Sequence, residues 1–145
     1  MSIHFHRIPV KEVRLVTHDC ITVSFDIPAA LQDTFRYEAG QSLTFRQQIG
    51  AEEVRRTYSL CSSPLENEWK VAIKKVEDGV FSGWAHSELK AGDIMEVMPP
   101  VGTFTLKTDP GHHHNYIAFA AGSGITPVLS LIKTTLAAEP NCSFT

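Results

Sequence analysis

Three short segments combine residue types that could together hold a phosphorylated, ring-bearing ligand. In Arg56-Thr57-Tyr58-Ser59, strand periodicity puts Arg56, Tyr58 and Leu60 on one face and Thr57 and Ser59 on the other. An arginine fork grips phosphate and an aromatic ring stacks on a planar group. The same residues also fit an exposed cation beside a half-buried tyrosine. Gly79-Val80-Phe81-Ser82 opens a short helical pattern, and a helix start favours an anion through its unpaired N–H groups and dipole. An ordinary capped helix would use the same glycine and serine. Gly122-Ser123-Gly124-Ile125-Thr126-Pro127 lies between an apolar run and a helix. It carries two glycines of a G-x-G-x-x-G turn, with Pro127 at the third position. A tight strand-to-helix turn needs no more than that, and Pro127 suits a first helical turn.

Other reactive side chains carry less. His112-His113-His114 could catch a transition metal, but no carboxylate or thiol motif completes a site, and a solvated linker is expected. Cys20, Cys61 and Cys142 are odd in number and far apart. They form neither a zinc ribbon nor a redox dithiol, and free thiols suit a reducing compartment. Cys61, two positions after Ser59, reads as a small buried thiol.

The elements that must position these residues fall into two groups. Up to about residue 108, short strands alternate with turn signals. Strands are expected at Val10 to Val16, Cys20 to Ile27, Gln41 to Gln48, Glu53 to Leu60, Trp69 to Val76 and Asp93 to Met98. Ile21, Val23, Phe25 and Ile27 share one face, and Pro28 stops that strand. With one brief helix over Phe81 to Leu89, this is the pattern of a small antiparallel barrel. After the loop at 109–115 the character changes. Tyr116 to Ala121 reads as a strand buried on both faces, Val128 to Ala138 as a helix, and Cys142 to Thr145 as the opening of a second strand. Strand, glycine turn and helix form the opening unit of a doubly wound α/β domain.

The 145 residues include 43% hydrophobic and 20% charged side chains and carry a net charge of −3. Disorder is excluded for the bulk of the chain. The acidic balance and the lack of a basic block argue against nucleic acid or an anionic membrane as partner. With no window approaching a membrane span and no apolar stretch of signal length at the start, a cytoplasmic protein is expected.

In this order and spacing, RTYS, GVFS, PPVGTF and AGSGITP resemble the ferredoxin–NADP⁺ reductase family. GVFSGWAH and AGSGITPVLSLIKTTL are similar to the phenylacetate-degradation oxygenase reductase type. The resemblance covers the whole chain. It implies an FAD-binding Greek-key barrel over 1–108, a linker over 109–115, and the start of an NAD(P)-binding α/β domain over 116–145, cut off after its first unit. It further implies that Arg56 binds the FAD pyrophosphate, that Tyr58 lies against the flavin, and that Ser59 hydrogen-bonds near flavin N5. Ala72, Ile73 and Lys74 would line the flavin pocket, mostly through backbone, and Gly79, Val80, Phe81 and Ser82 would form a second phosphate-binding motif. Thr126 would sit over the flavin, and Gly122 and Gly124 would form the nucleotide-pyrophosphate turn. Ser59 and Thr126 act as positioners in that reading, since hydride transfer needs alignment and not an acid or base.

The implied function is FAD-dependent electron transfer from NAD(P)H to an iron–sulfur domain, a ferredoxin or an oxygenase component. A non-catalytic flavin-binding or docking subunit is the alternative. No C-x₄-C-x₂-C pattern occurs, so no iron–sulfur cluster is expected in this chain. The segments that choose NADH over NADPH are absent too. If Ile117, Phe119 and the helix over 128–136 are left uncovered, their apolar surface is a route to a homodimer.

Overall fold

The structure is a computed structural model that describes residues 4–145. Six strands make one antiparallel sheet: β1 (His6–Thr17), β2 (Cys20–Phe25), β3 (Ser42–Ile49), β4 (Glu52–Ser59), β5 (Trp69–Lys74) and β6 (Ile94–Val97). Their order is β4-β3-β6-β1-β2-β5. The first half of β1 pairs with β6 and the second half with β2, with irregular register between Val10 and Glu12. Such a break bends a strand and lets one sheet turn a corner. The two end strands, β4 and β5, meet at the isolated bridge Leu60–Val71, backed by the Cys61 N–H bond to the Lys70 carbonyl at 2.9 Å. This closes the sheet into a small barrel with a seam.

Period-two alternation explains the core. Ile21, Val23 and Phe25 of β2 and Trp69, Val71 and Ile73 of β5 all point inward and are buried. Phe45 lies at the centre, stacked 5.4 Å from Phe25 and 6.2 Å from Phe81. Phe81 belongs to α1 (Val80–Glu88), so that helix is anchored in the core by its second residue. The Trp69 indole N–H donates to the Phe35 carbonyl at 2.7 Å, which satisfies a buried donor.

The second unit comprises β7 (Asn115–Tyr116), α2 (Ile125–Ala138) and β8 (Ser143–Phe144). β7 and β8 pair in parallel, as expected of an opening α/β unit. The apolar run from Tyr116 to Ala121 departs from expectation: only its first residue lies in a strand, and Ile117 and Phe119 are 69% and 94% exposed. A doubly buried strand needs neighbours on both sides, and here β8 alone pairs with β7, ending with the Ala118 N–H bond to the Thr145 carbonyl at 2.8 Å. α2 begins three residues earlier than the apolar spacing indicates, which puts Pro127 in its first turn.

Candidate functional site

The seam between β4 and β5 opens into a cleft of about 530 Å³. Its barrel wall comprises Cys20, Thr57, Tyr58, Ser59, Ala72, Lys74 and Val76; Gly122, Ser123, Ile125 and Thr126 form the opposite wall. Hydrogen-bond parity shows what the seam offers. The Leu60 N–H bonds the Gln41 carbonyl, so the even positions of β4 turn their backbone toward β3 and Thr57 and Ser59 turn theirs to the seam. On β5, the Cys61 N–H bond to the Lys70 carbonyl turns Ala72 and Lys74 the same way. Two strand edges thus present donors and acceptors to a flat ligand entering between them.

From Arg56 onward, burial rises along one face of β4. Arg56 is exposed, Tyr58 is half-buried and Leu60 is sealed in the core. The Tyr58 ring lies 5.8 Å from Phe81 and 6.2 Å from Phe45. Burial pushes its hydroxyl above the usual tyrosine range, with Arg56 opposing, so it stays neutral near pH 7. Arg14, Arg36, Arg46 and Arg55 each pair with a carboxylate. Arg56 bonds only the Arg55 carbonyl, at 2.7 Å, and has no ion-pair partner among the described residues. An unpaired guanidinium at the rim of a cleft suits a phosphate.

α1 begins beside this wall with Gly79 as its N-cap and no side-chain cap. The backbone N–H groups of Val80, Phe81 and Ser82 have no acceptor within the helix. The Ser82 hydroxyl is turned inward, accepting from the Val76 N–H at 3.1 Å. A Cβ on Gly79 would collide with that hydroxyl oxygen. Ser82 therefore shapes the loop with its side chain, and its backbone N–H remains for an anion. On the opposite wall, Gly122 needs its left-handed φ of 58°, whereas Gly124 is right-handed helical and a Cβ there would meet nothing. The space over Gly124 is open for a ligand. Thr126 is half-buried at the first turn of α2, its hydroxyl donating to the Ser123 carbonyl at 3.0 Å.

Thus Tyr58, Ser59, Ala72, Lys74, Gly122 and Thr126 line one cleft, with Arg56 and the start of α1 outside its lining. The side chains of Ile73 and Phe81 point into the core. Ile73 also turns its backbone to Ile21 of β2, with its carbonyl 2.9 Å from His86 Nε2, so of the two only Phe81 keeps backbone free for a ligand. Cys61 is buried, its thiol donating to the Lys70 carbonyl, and burial pushes it up. Trp84 packs 5.6 Å from Phe81 at the edge of the core. Sequence reading missed Cys20 in the cleft. Its signal is cross-strand register, since β2–β5 pairing sets Cys20 opposite Lys74.

Of the histidine run, His112 reaches a network around a buried carboxylate with its side chain, while His113 and His114 are exposed as a solvated linker would be. Glu139 is fully buried, and its carboxylate accepts from the Tyr116 hydroxyl at 2.6 Å, the Cys142 thiol at 3.2 Å and the Asp109 N–H at 3.3 Å, with His112 Nδ1 at 3.2 Å. Burial alone would raise its pKa, but these donors prevail and hold it at about 2. The hydrogen bond to Glu139, with burial behind it, pushes Tyr116 up to about 12. Among the described residues no cluster of three or more His, Cys, Asp or Glu could hold a metal ion.

These features make a cleft between two strand edges, with an unpaired guanidinium and free helix N–H groups outside its lining. The sequence of the barrel decides the matter: the family model for the oxidoreductase FAD-binding domain matches residues 7–106. The chain belongs to the oxidoreductase FAD-binding domain family. Among its relatives is one subunit of the 1,2-phenylacetyl-CoA epoxidase from Escherichia coli, 43% identical over 97% of this chain and 40% of that protein. It is 41% identical to the ferredoxin reductase component of 3-ketosteroid-9-alpha-monooxygenase from Rhodococcus rhodochrous, over 83% of this chain and 34% of that protein. The chain thus spans well under half the length of these relatives. Its fold matches phthalate dioxygenase reductase with a TM-score of 0.74 at 27% identity, covering 97% of this chain and 42% of that one. The chain is therefore a flavin-binding oxidoreductase domain.

Proposed function

We propose that this FAD-binding domain serves an NAD(P)H-dependent reductase that delivers electrons to an iron–sulfur or oxygenase partner. The observation that carries the reading is the seam cleft, where Tyr58 and Ser59 on the barrel face Thr126 and Gly122 across one space. The relatives point the same way: one is an epoxidase subunit and another is the reductase component of a monooxygenase. Phthalate dioxygenase reductase, which shares the fold, is a modular structure for electron transfer from pyridine nucleotides to a [2Fe-2S] centre.

FAD, when bound, supplies the redox chemistry, and the protein supplies alignment and charge compensation. Arg56 grips the pyrophosphate, as its lack of a carboxylate partner supports. The free N–H groups of Val80, Phe81 and Ser82 take up the remaining phosphate charge, with Gly79 keeping the approach open. Tyr58 would pack against the bound ring and Ser59 would hydrogen-bond near N5. Backbone from Ala72 and Lys74 would border the ring edge, whereas Ile73 turns its backbone to β2. Thr126 would cover the face where nicotinamide arrives, and Gly122 and Gly124 would leave room for its pyrophosphate. In this reading 116–145 begins the nucleotide unit, and a reducing compartment such as the cytoplasm suits the three free thiols. The exposed apolar face of that unit also supports a homodimer.

A visible spectrum of the protein after incubation with FAD and desalting tests the reading. Retained flavin absorption is expected, and no retention overturns it. Bleaching by NADH or NADPH then separates a reductase from a flavin-binding subunit without turnover. Taken alone, this chain should oxidise NAD(P)H slowly, because only the glycine turn and the first turn of α2 face the cleft from the nucleotide side.

A further inference from the structure

We infer that Ser130 and Thr134 are positioning residues for the flavin cleft: with Thr126 they form a row of hydroxyls down α2 whose bonds to Ser62 and Ser63 hold Thr126 against the seam. The inference rests on the flavin reading of that cleft.

Thr126, Ser130 and Thr134 are spaced four apart and share a helix face. Ser130 is fully buried, and its hydroxyl donates to the Ser62 carbonyl at 2.5 Å. The Thr134 hydroxyl donates to the Ser130 carbonyl at 2.7 Å. That uses its one proton, so in its 2.7 Å contact with Ser63 the serine is the donor. Two consecutive turns of α2 are thus bonded to two consecutive residues of the barrel.

The receiving loop is itself rigid. Ser62 Oγ accepts from the Lys70 N–H at 3.1 Å and donates to the Glu68 carbonyl at 2.9 Å. Ser63 caps the 3-10 turn Pro64–Glu66, accepting from the Leu65 N–H while its own N–H donates to the Glu66 carboxylate at 2.7 Å. The loop starts directly after the Leu60–Val71 bridge that closes the barrel. Ser62 and Ser63 thus tie the loop after the barrel closure to α2, and Thr126 lies one turn N-terminal to Ser130. A helix slip of one residue would move Thr126 by roughly 1.5 Å and turn it by about 100°. A shift of that size at a reacting centre is costly.

The test uses the whole chain with Ser130→Ala and Thr134→Val together, in native and Thr126→Ala backgrounds. Its readouts are amide hydrogen exchange along α2 without FAD, and visible circular dichroism and iodide quenching of FAD bound to the chain. The double variant should raise exchange in the first turns of α2 about tenfold, the signature of local opening. It should shift dichroism and quenching to the Thr126→Ala values, and add nothing in the Thr126→Ala background. Thr134→Ser, which keeps the hydroxyl, should match the native protein. If the double variant does not fold, Thr134→Val alone is read by the same criteria. Native dichroism and quenching in the variant, or effects that add fully to those of Thr126→Ala, would overturn the inference. Failure of the native chain to hold FAD overturns the flavin reading itself, whereas unchanged exchange with FAD retained overturns only the role of the row.

Discussion

At the scale of single residues, charge and close packing divide the work. Arg56 stands free of carboxylates while four other arginines are engaged, so removing it should cost the ligand and not the fold. A hydrogen bond to a charged group contributes about 1.5–3 kcal/mol. Arg56→Ala should therefore weaken FAD binding roughly 10- to 150-fold, read by fluorescence titration, with an unchanged urea midpoint. Gly79 is the opposite case. Its missing Cβ makes room for the Ser82 hydroxyl that satisfies the Val76 N–H. Gly79→Ala should displace that bond and cost about 1–3 kcal/mol of stability, visible in urea unfolding of the FAD-free protein. Native stability in that variant would show that the loop yields freely.

Whole elements carry the site through two anchors. α1 presents its free N–H groups only because Phe81, 1% exposed, is locked among Phe45, Tyr58 and Trp84. Phe81→Ala should destabilise the barrel by about 3–5 kcal/mol and weaken FAD binding together with it. The C-terminal end of α2 is tied to the linker by Glu139. Its folded pKa of about 2 lies below the ordinary value of 4.5. A carboxyl depressed by folding stabilises above its unfolded pKa and loses that contribution as pH falls through the folded value. Stability from this network should thus be full above about pH 5 and decline toward pH 2. In Glu139→Gln the neutral-pH melting temperature should fall, and the gap to the native protein should close in acid. A gap that stays constant with pH would contradict the ionised network.

At the scale of the whole molecule, one apolar surface stands out. Phe104, Ile117 and Phe119 are 60%, 69% and 94% exposed. They border a second, largely apolar cavity of about 390 Å³ that also takes in Tyr116, Val128 and Phe144. Contiguous exposed apolar surface of this kind promotes association. Light scattering should show mass rising with concentration, and Phe119→Lys should suppress the rise. A monomer at all concentrations would count against a homodimer. Among the described residues no helix is long and apolar enough to cross a membrane.

The sequence by itself determined the local elements and the kind of chemistry. Period-two runs such as Ile21, Val23 and Phe25 mark strands because alternate side chains face opposite sides of a sheet. The order of RTYS, GVFS and AGSGITP resembles a reductase family, and that resemblance implies a flavin and a nucleotide. Tertiary structure alone decided which residues meet. Strand order made β4 and β5 the two free edges, and so made the cleft a seam with Cys20 in its wall. The run from Tyr116 to Ala121 has the hydrophobicity of a buried strand, yet burial depends on neighbours that periodicity does not contain. Glu139 reads as an ordinary charged residue at a helix end until Tyr116, Cys142 and the Asp109 N–H converge on it. The Ser62–Ser130 bond joins residues 68 positions apart. Pairings of that range belong to the fold, because single-residue preferences act over a few positions while packing acts across the whole chain.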